Sequence, residues 1–538
     1  MAVSERTEAA HNRTRDPRRT AVLDPVRWAG IWVPSFSHWI GLAALLVTAI
    51  ALTPVAFVVY MAVTAGWPTF VALVFRARVG ELLGNTAGLI ALTVPACTLI
   101  ALGLAWLVER SDMPGRRVLA WFAVAPLAVP AYIHSYAWVG AFPGMEGIWA
   151  GVLVATLAYF PFAYLPLSAT LRRLDPALED VAASMGLCPR QVFVRVVLPQ
   201  LRVPLCGGCL LIGTHLFAEY GLFVMMRFDT FTTAIVDQFQ ASYNGPAAIM
   251  LALVLIAGCA LLLVLEALAC GDRRYARLGR GAPRRHTRVS LGWATFPFMI
   301  LAFLVVGVAL AIPALTVGRW LWLGGVKAWA NTEVGTALID TLQLGSVGAV
   351  LTTLAAFPSA WLSVRNAGRV ARLVEAASYF VGAIPGVIIA LALVALAINV
   401  ARPLYQTEPI LLLAYGIMFL PRAIIGLRGS LAQVPRSLEE IAGSLGRTPL
   451  RALRDVTLRL AAPGFGSALA LVALGITNEL TATLMLAPIG THTLASQFWA
   501  YTSEIDYVAA APYAALMVLL SAPMTILLSL QRSRKYKI

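Results

Sequence analysis

Charged side chains are scarce in this chain. Asp, Glu, Lys and Arg make up 12% of its 538 residues, whereas 59% are hydrophobic. Soluble domains carry about 25% charged residues, so the composition excludes an ordinary soluble globular protein. Lysine is especially rare, and its three residues, Lys327, Lys535 and Lys537, precede Ala, Tyr and Ile. A nucleotide-binding P-loop needs a lysine followed by Ser or Thr, so the chain is expected to hold no such ATPase site.

Cysteine is also sparse, with six residues in the chain. Cys206 and Cys209 form a C-x-x-C pair that opens a hydrophobic stretch and has no second pair of ligands. This context predicts helix packing rather than a metal or redox site. No spacing typical of a nucleophile with its base, or of metal ligands, stands out elsewhere. The sequence therefore predicts neither catalytic residues nor a fixed metal site, and the chain is not expected to be an enzyme.

Long uncharged runs fill most of the chain. His38 to Val63 carries no Asp, Glu, Lys or Arg over 26 residues, and a bilayer core of about 30 Å needs roughly 20 apolar helical residues. The runs lack the alternation of a barrel strand, so they predict helices. We expect an all-α polytopic membrane protein with about twelve transmembrane helices, near residues 38–63, 84–108, 118–141, 146–170, 204–226, 246–270, 292–315, 338–364, 374–400, 408–428, 464–487 and 508–530.

The placement of the basic residues predicts the orientation of the chain. The formal net charge is +15, and Lys and Arg concentrate in the N-terminal tail, in alternate loops and at the C-terminus. Because cytoplasmic loops carry the excess of Lys and Arg, both termini are expected in the cytosol. Such a basic surface faces anionic lipid, so membrane lipid rather than nucleic acid is the expected partner. The opposite loops hold six of the 41 basic residues, namely Arg76, Arg78, Arg227, Arg319, Lys327 and Arg402.

The two halves of the chain repeat each other. Thr86, Arg110 and Pro130 recur 255 positions later, and Glu219 and Thr233 recur 260 positions later. Each half holds six predicted spans, so the halves are expected to insert with the same orientation as two parallel six-helix repeats, with a pathway between them. The predicted divisions are a cytoplasmic basic tail (1–36), a first transmembrane domain (37–270), a cytoplasmic linker (271–290) and a second transmembrane domain (291–538).

A polar segment recurs between hydrophobic spans of both halves. It reads LEDVAASMGLCPRQVFVRVVL from Leu178 to Leu198 and LEEIAGSLGRTPLRALRDVTL from Leu438 to Leu458. Acidic residues in a first helical turn favour the helix dipole, and the glycine predicts a corner between two short helices. The segments could be ordinary interfacial helices, but matched residues in both halves favour docking of a cytosolic partner. These residues are Glu179, Ala182, Gly186, Glu439, Ala442 and Gly446.

The pattern E-x-x-A-x-x-x-G with a following hydrophobic stretch resembles the signature loop of type I permeases of ATP-binding-cassette importers. In that family the loops form coupling helices that seat in clefts of two ATPase subunits. The first loop continues to Val197-Leu198-Pro199 as in the family, whereas the second has Leu458-Arg459 where a proline is usual. The resemblance implies a multi-pass permease of the bacterial cytoplasmic (inner) membrane without a cofactor of its own. Its implied partners are two copies of a cytoplasmic ATP-binding subunit, which bind ATP and Mg²⁺, and a periplasmic or lipid-anchored substrate-binding protein.

Within this family the chain resembles the fused two-repeat permeases of ferric iron importers, and less closely those for thiamine and phosphonate. The stretches that carry the likeness are APLAVPAY at residues 125–132, EYG at 219–221 and ELTATL at 479–484. The resemblance implies that ferric iron, or alternatively thiamine, phosphonate or another small solute, crosses the membrane by alternating access. The energy would come from the partner ATPases.

Ionisable groups inside spans point to a candidate path, because burying them in a membrane is costly. Ferric iron favours carboxylate and phenolate oxygen. Two carboxylates, Glu219 and Glu479, could therefore line a path or could bond across helices near a gate. Glu375 and His215 also fall within spans. The candidate path residues are Glu219, Glu479, Tyr132, Tyr136 and Asp340.

A rival class is a secondary transporter driven by an ion gradient. Intramembrane carboxylates and an internal repeat would suit such a transporter equally well. It gives no reason, however, for two matching docking loops. The loops therefore favour the ATP-driven class.

Overall fold

The computed structural model describes residues 26–240, 245–271, 288–330, 332–366 and 368–534. Most of the predicted basic tail (1–36) and of the predicted linker (271–290) lies outside these ranges. Within them the chain is helical, apart from loops and an isolated bridge between Ser111 and Val289.

The first half begins with a helix that starts well before the predicted span, at Val26. Its helices are α1 (Val26–Ala65), α2 (Trp67–Val74), α3 (Ala77–Arg110), α4 (Arg116–Phe122), α5 (Ala131–Ala141), α6 (Gly147–Arg173), α7 (Pro176–Ser184), α8 (Pro189–Val192), α9 (Leu198–Gln200), α10 (Arg202–Ala218), α11 (Gly221–Met225), α12 (Phe231–Gln240) and α13 (Gly245–Cys270). A 3₁₀ turn (Ala125–Ala128) precedes α5, and a π-helical segment (Phe193–Val197) joins α8 to α9.

The second half repeats this order from α14 onward. Its helices are α14 (Thr295–Gly324), α15 (Thr332–Arg365), α16 (Arg369–Ala383), α17 (Gly386–Val400), α18 (Glu408–Leu431), α19 (Arg436–Ser444), α20 (Pro449–Ala452), α21 (Arg459–Thr477), α22 (Thr481–Leu486), α23 (Leu494–Ser503) and α24 (Tyr507–Arg534). A π-helical segment (Leu453–Leu458) again joins the short helix α20 to the long helix α21, and 3₁₀ turns occupy Gly292–Ala294, Gly325–Ala328 and Arg402–Leu404.

The described residues contain eight helices that are long and apolar enough to cross a membrane, or up to eleven if each of three bent pairs counts as one span. The twelfth predicted region holds a shorter apolar helix over Tyr507–Pro523. The prediction of an all-α polytopic membrane protein built from two repeats is therefore confirmed. Apolar helices occupy all twelve of the predicted regions.

Two of the bent pairs lie at the same place in the two halves. The segment before α5 meets α5 at 95°, and α16 meets α17 at 98°. Pro130 and Pro385, which match at the 255-residue offset, stand directly before α5 and α17. The residue before a proline is disfavoured in the helical region, and Val129 and Ile384 are indeed extended. Each proline therefore marks a sharp bend at the same position of its half, before α5 in the first and before α17 in the second.

The third bend occurs in one half only. The segment Pro189–Gln200 meets α10 at 62°, whereas Pro449–Thr477 qualifies as one unbroken span. Both segments contain π-helical residues, so these do not explain the difference. Sharp kinks commonly occur at proline, and Pro199 lies at the bend where the second half has Arg459. The absence of a proline after the second duplicated segment therefore lets this helix continue.

The two halves interlock through their first helices. Helix α1 packs against α15, α16 and α17 of the other half, and α14 packs against α4, α5 and α6. Inside each half, α3 packs against α6 and α10, just as α15 packs against α18 and α21. Small residues permit the close approach of these helices: a Cβ on Gly208 of α10 would lie 2.8 Å from the Ala163 Cα of α6.

Candidate functional site: paired signature loops and a polar cluster between the halves

The two duplicated polar segments fold alike; we call residues 176–192 and 436–452 the first and second signature loops. In each loop a nine-residue helix, α7 or α19, ends at a glycine with positive φ, which is +85° for Gly186 and +80° for Gly446. A left-handed backbone favours glycine because it has no Cβ. The predicted glycine corner between two short helices is therefore present in both halves.

The signature-loop glutamates are held by arginines at the ends of long helices. Arg110 at the end of α3 contacts Glu179 through both terminal nitrogens, at 2.9 and 3.2 Å. Arg365 at the end of α15 contacts Glu439 at 2.5 Å. Both arginine side chains are nearly buried, at 7% and 11% exposure. The glutamates thus tie each signature loop to a long helix of its own half.

The glutamate of the second signature loop also accepts a hydrogen bond from a hydroxyl group. The Thr457 hydroxyl donates to Oε1 of Glu439 at 2.7 Å, and Arg365 donates to the Val434 carbonyl at 3.0 Å. Valine stands in the first half at the position of Thr457 and cannot make this bond, since Val197 has no hydroxyl. The hydroxyl bond to the signature-loop glutamate therefore has no counterpart at this position of the first half.

Each signature loop carries an apolar pair on its exposed face. Val181 and Met185 are 58% and 78% exposed, and the matching Ile441 and Leu445 are 53% and 77% exposed. The buried face holds the small residues Ala182 and Ala442. Four-residue spacing places each pair on one helical face. The loops therefore present two similar apolar surfaces, which suits docking of two like partners.

The two candidate carboxylates occupy equivalent helix breaks between long and short helices. Glu219 lies between α10 and α11 and accepts the Leu222 backbone N–H at 3.1 Å. Glu479 lies between α21 and α22 and accepts the Ala482 backbone N–H at 3.1 Å. Glu219 also accepts a hydrogen bond from the Tyr159 hydroxyl at 2.5 Å. Each carboxylate thus caps a half-helix inside the membrane region.

These carboxylates lie within electrostatic reach of each other across the halves. Glu219 and Glu479 interact electrostatically with each other, and each also interacts electrostatically with the Tyr132 hydroxyl group. Tyr132 itself joins the halves, because its hydroxyl donates to the Asn478 carbonyl at 3.3 Å. The structure therefore brings three of the five candidate path residues into one polar cluster.

The other two candidates lie apart from this cluster. Tyr136 is fully buried, and its hydroxyl donates to the Tyr507 carbonyl of the other half at 2.8 Å. Asp340 accepts the exposed His492 backbone N–H at 3.1 Å and so holds the loop before α23. The contacts of Tyr136 and Asp340 therefore hold neighbouring backbone segments in place. Their assignment to the translocation path stays a prediction.

Aromatic side chains close the interface on the side away from the signature loops. Tyr136 packs edge-on against Phe498 with centroids 5.2 Å apart and against Tyr507 at 5.4 Å. Tyr220 packs against Trp499 at 5.3 Å. We call this set, with Tyr132, the aromatic plug. Because every one of these pairs joins the first half to the second, opening the interface must break them.

Among the described residues, no three His, Cys, Asp or Glu side chains gather into a group that could hold a metal ion. The polar cluster combines two carboxylates with neutral hydroxyl groups and lies between the repeats.

Three kinds of site residue escaped the sequence reasoning. Arg110 and Arg365 match at the 255-residue offset, and this match could have marked them as candidate site residues. Nothing in the sequence indicated that they contact Glu179 and Glu439. Tyr159 offered no signal beyond an aromatic side chain in a span. Arg422 interacts electrostatically with Glu479, and its guanidinium lies 5.0 Å from the centroid of the Phe419 ring. It lies inside the predicted span 408–428, so its charge was a clear signal.

A polytopic helical fold with two parallel repeats and two exposed signature loops defines a permease subunit of an importer. The family model described as "Binding-protein-dependent transport system inner membrane component" matches residues 98–269 and 348–535. The chain belongs to this family and is a fused, ferric-type permease of the ATP-binding-cassette importers. It is thus a multi-pass membrane protein whose relatives work with an ATPase and a substrate-binding protein.

Similar curated proteins transport iron or sulfate, by their names. The Fe(3+)-transport system permease protein FbpB 2 of Haemophilus influenzae is 34% identical over 492 residues, covering 90% of this chain and 96% of that protein. The ferric transport system permease protein FbpB of Actinobacillus pleuropneumoniae is 23% identical over 70% of this chain and 57% of its own length. The sulfate transport system permease protein CysT of Escherichia coli is 25% identical over 43% of this chain and 91% of its own length.

Proposed function

We propose that this chain is the membrane permease of a ferric iron importer and that two copies of a cytoplasmic ATP-binding subunit drive it. Support for iron comes from the ferric permease relative, which is 34% identical over 90% of the chain. The observation that carries the ATP-driven mechanism is the pair of signature loops with matching apolar faces and matching Arg–Glu contacts. A periplasmic or lipid-anchored binding protein delivers the substrate to the opposite side.

The proposed cycle is alternating access between the repeats. The aromatic plug closes the interface on the side away from the signature loops, and Tyr132 connects the plug to the polar cluster. ATP-driven closure of the two subunits moves α7 and α19, and the Arg–Glu contacts carry this movement to α3 and α15. Separation of the halves then breaks the plug and admits the substrate.

Uptake measurements test the proposal. The chain is reconstituted in vesicles with its ATP-binding subunit and its binding protein, and uptake of radioactive iron from the iron-loaded binding protein is followed with and without ATP. ATP-dependent iron uptake is expected. Uptake that follows an ion gradient without ATP would favour the secondary transporter, and ATP-dependent uptake of sulfate but not iron would overturn the substrate assignment.

A further inference from the structure

The repeats differ around the polar cluster, although each has a glutamate there, Glu219 in the first and Glu479 in the second. In the first half the His215 ring packs against the Phe162 ring with centroids 4.2 Å apart. In the second half the Arg422 guanidinium lies 5.0 Å from the centroid of the Phe419 ring. The matching positions at the 260-residue offset are Tyr159 and Phe419, Phe162 and Arg422, and His215 and Gly475.

Glycine at position 475 makes room for the arginine. A Cβ on Gly475 would stand 3.0 Å from Nη1 of Arg422 and 2.6 Å from Cε1 of Phe419. A side chain such as that of His215 therefore cannot occupy this position while Arg422 keeps its place. Where the first repeat has Phe162 and His215, the second repeat therefore has Arg422 and Gly475.

The charge of Arg422 is not neutralised by an ion pair. Arg422 lies near the middle of the membrane-spanning helix α18, and its side chain is exposed. Among the described residues no carboxylate oxygen lies within 4 Å of it, although it interacts electrostatically with Glu479 and with His215 of the other half. A central arginine costs about 3 kcal/mol in membrane insertion, and such residues face the bundle interior or a water-filled cavity. Arg422 therefore faces the space between the halves.

The nearby carboxylates are engaged elsewhere. Both oxygens of Glu219 accept hydrogen bonds, from Tyr159 and from the Leu222 backbone, and Glu479 caps α22. A bare multivalent cation would be repelled by the Arg422 guanidinium. Anionic oxygen atoms, in contrast, bind a guanidinium through charge-assisted and often bidentate hydrogen bonds.

We propose that Arg422 contacts the cargo and binds its anionic oxygen atoms, so that iron crosses as a ferric ion carrying at least one anionic oxygen ligand. The iron part of this statement rests on the proposed function. The contact with anionic oxygen atoms rests on Arg422 itself.

The test uses the reconstituted importer and iron-loaded binding protein, with sulfate as the competing oxyanion. Arg422→Gln lowers iron uptake by about tenfold or more, because a charge-assisted contact is lost. Arg422→Lys retains part of the uptake, since it keeps the charge but not the planar fork. Arg319→Gln, on the side away from the signature loops, serves as the control and leaves uptake unchanged. Added sulfate inhibits the wild type and the control but not the residual uptake of Arg422→Gln.

Each outcome decides a separate question. A wild type that imports no iron contradicts the proposed function, whereas a wild type and Arg422→Gln with equal iron uptake and equal sulfate sensitivity overturn the inference. Co-purification with the ATP-binding subunit shows that the variant is assembled. If Arg422→Gln does not assemble, the inference is tested with Arg422→Lys. Inhibition of its iron uptake by sulfate that is weaker than in the wild type by about threefold or more supports the contact. Inhibition equal to that of the wild type overturns it.

Discussion

Arg110 holds Glu179 with both of its terminal nitrogens, and Arg365 holds Glu439 in the corresponding place of the second half. Each contact joins the end of a long helix to a signature loop, although the two partners lie 69 and 74 positions apart in the chain. Because both arginines are nearly buried, the contacts are shielded from competing water. The signature glutamate is therefore a structural link between the exposed loop and the membrane helices.

Breaking this link should uncouple the loops from the helices. Arg110→Gln leaves Glu179 without its charged partner, and loss of one partner of a buried pair destabilises by about 3–5 kcal/mol. Part of this cost should appear as local loosening of α7, since the glutamate remains 23% exposed. We expect ATP-driven uptake to fall by about tenfold or more while ATP hydrolysis continues.

The control for this experiment is Arg173→Gln, an exposed arginine at the end of α6 that lies outside the signature loop. Radioactive iron uptake and phosphate release are measured on the same vesicles. Equal ratios of transport to hydrolysis in the wild type and Arg110→Gln would contradict a coupling role for the ion pair.

The glycine corner predicts opposite effects for two neighbouring glycines. Gly446 has φ of +80°, so Gly446→Ala adds strain of about 1–2 kcal/mol. Gly443 lies within α19 with open space around its Cβ position, and alanine there favours the helix by about 1 kcal/mol. Hydrogen exchange across residues 436–452 should quicken in Gly446→Ala and slow in Gly443→Ala. Equal exchange in the two variants would refute the proposed geometry.

The exposed apolar pairs predict loss of partner binding on charge insertion. Met185→Asp and Leu445→Asp place a carboxylate in the proposed contact, where burial of an unpaired charge is strongly unfavourable. We expect the double variant to insert normally but to lose co-purification of the ATP-binding subunit. Ile489→Asp changes an apolar residue that is 91% exposed in the loop before α23, and it should leave co-purification intact. Retention of the subunit by the double variant would rule out this docking surface.

The aromatic plug predicts a change in basal ATP hydrolysis. Tyr132→Phe and Tyr136→Phe together remove two hydrogen bonds between the halves, each worth about 0.5–1.5 kcal/mol. The separated state becomes easier to reach, so hydrolysis without binding protein should rise several-fold. Tyr415→Phe is the matched control, because its hydroxyl bonds Thr483 within one half. A similar rise in the control would show that the effect is unrelated to the interface.

Much of the architecture was readable from the sequence. The uncharged runs located the helices, and the duplicated Glu-to-Gly motif located the signature loops, because both are local patterns. The packing of α1 and α14 against the opposite halves was not predictable, since it depends on contacts between distant segments. The partnership of Arg110 with Glu179 was missed for the same reason. The recurrence of Pro130 as Pro385 was visible in the sequence, but the angle of each corner depends on the surrounding helices.

Site-directed cross-linking tests the central claim most directly, namely that the two signature loops seat two ATP-binding subunits. All native cysteines are first replaced by serine, because Cys188 is itself exposed on the first loop. A single cysteine is then introduced in place of Met185 or Leu445. We predict that each cysteine cross-links one ATP-binding subunit, that the double variant captures two, and that Ile489→Cys captures none. Failure of both loop cysteines to cross-link in an importer that transports iron would contradict the account.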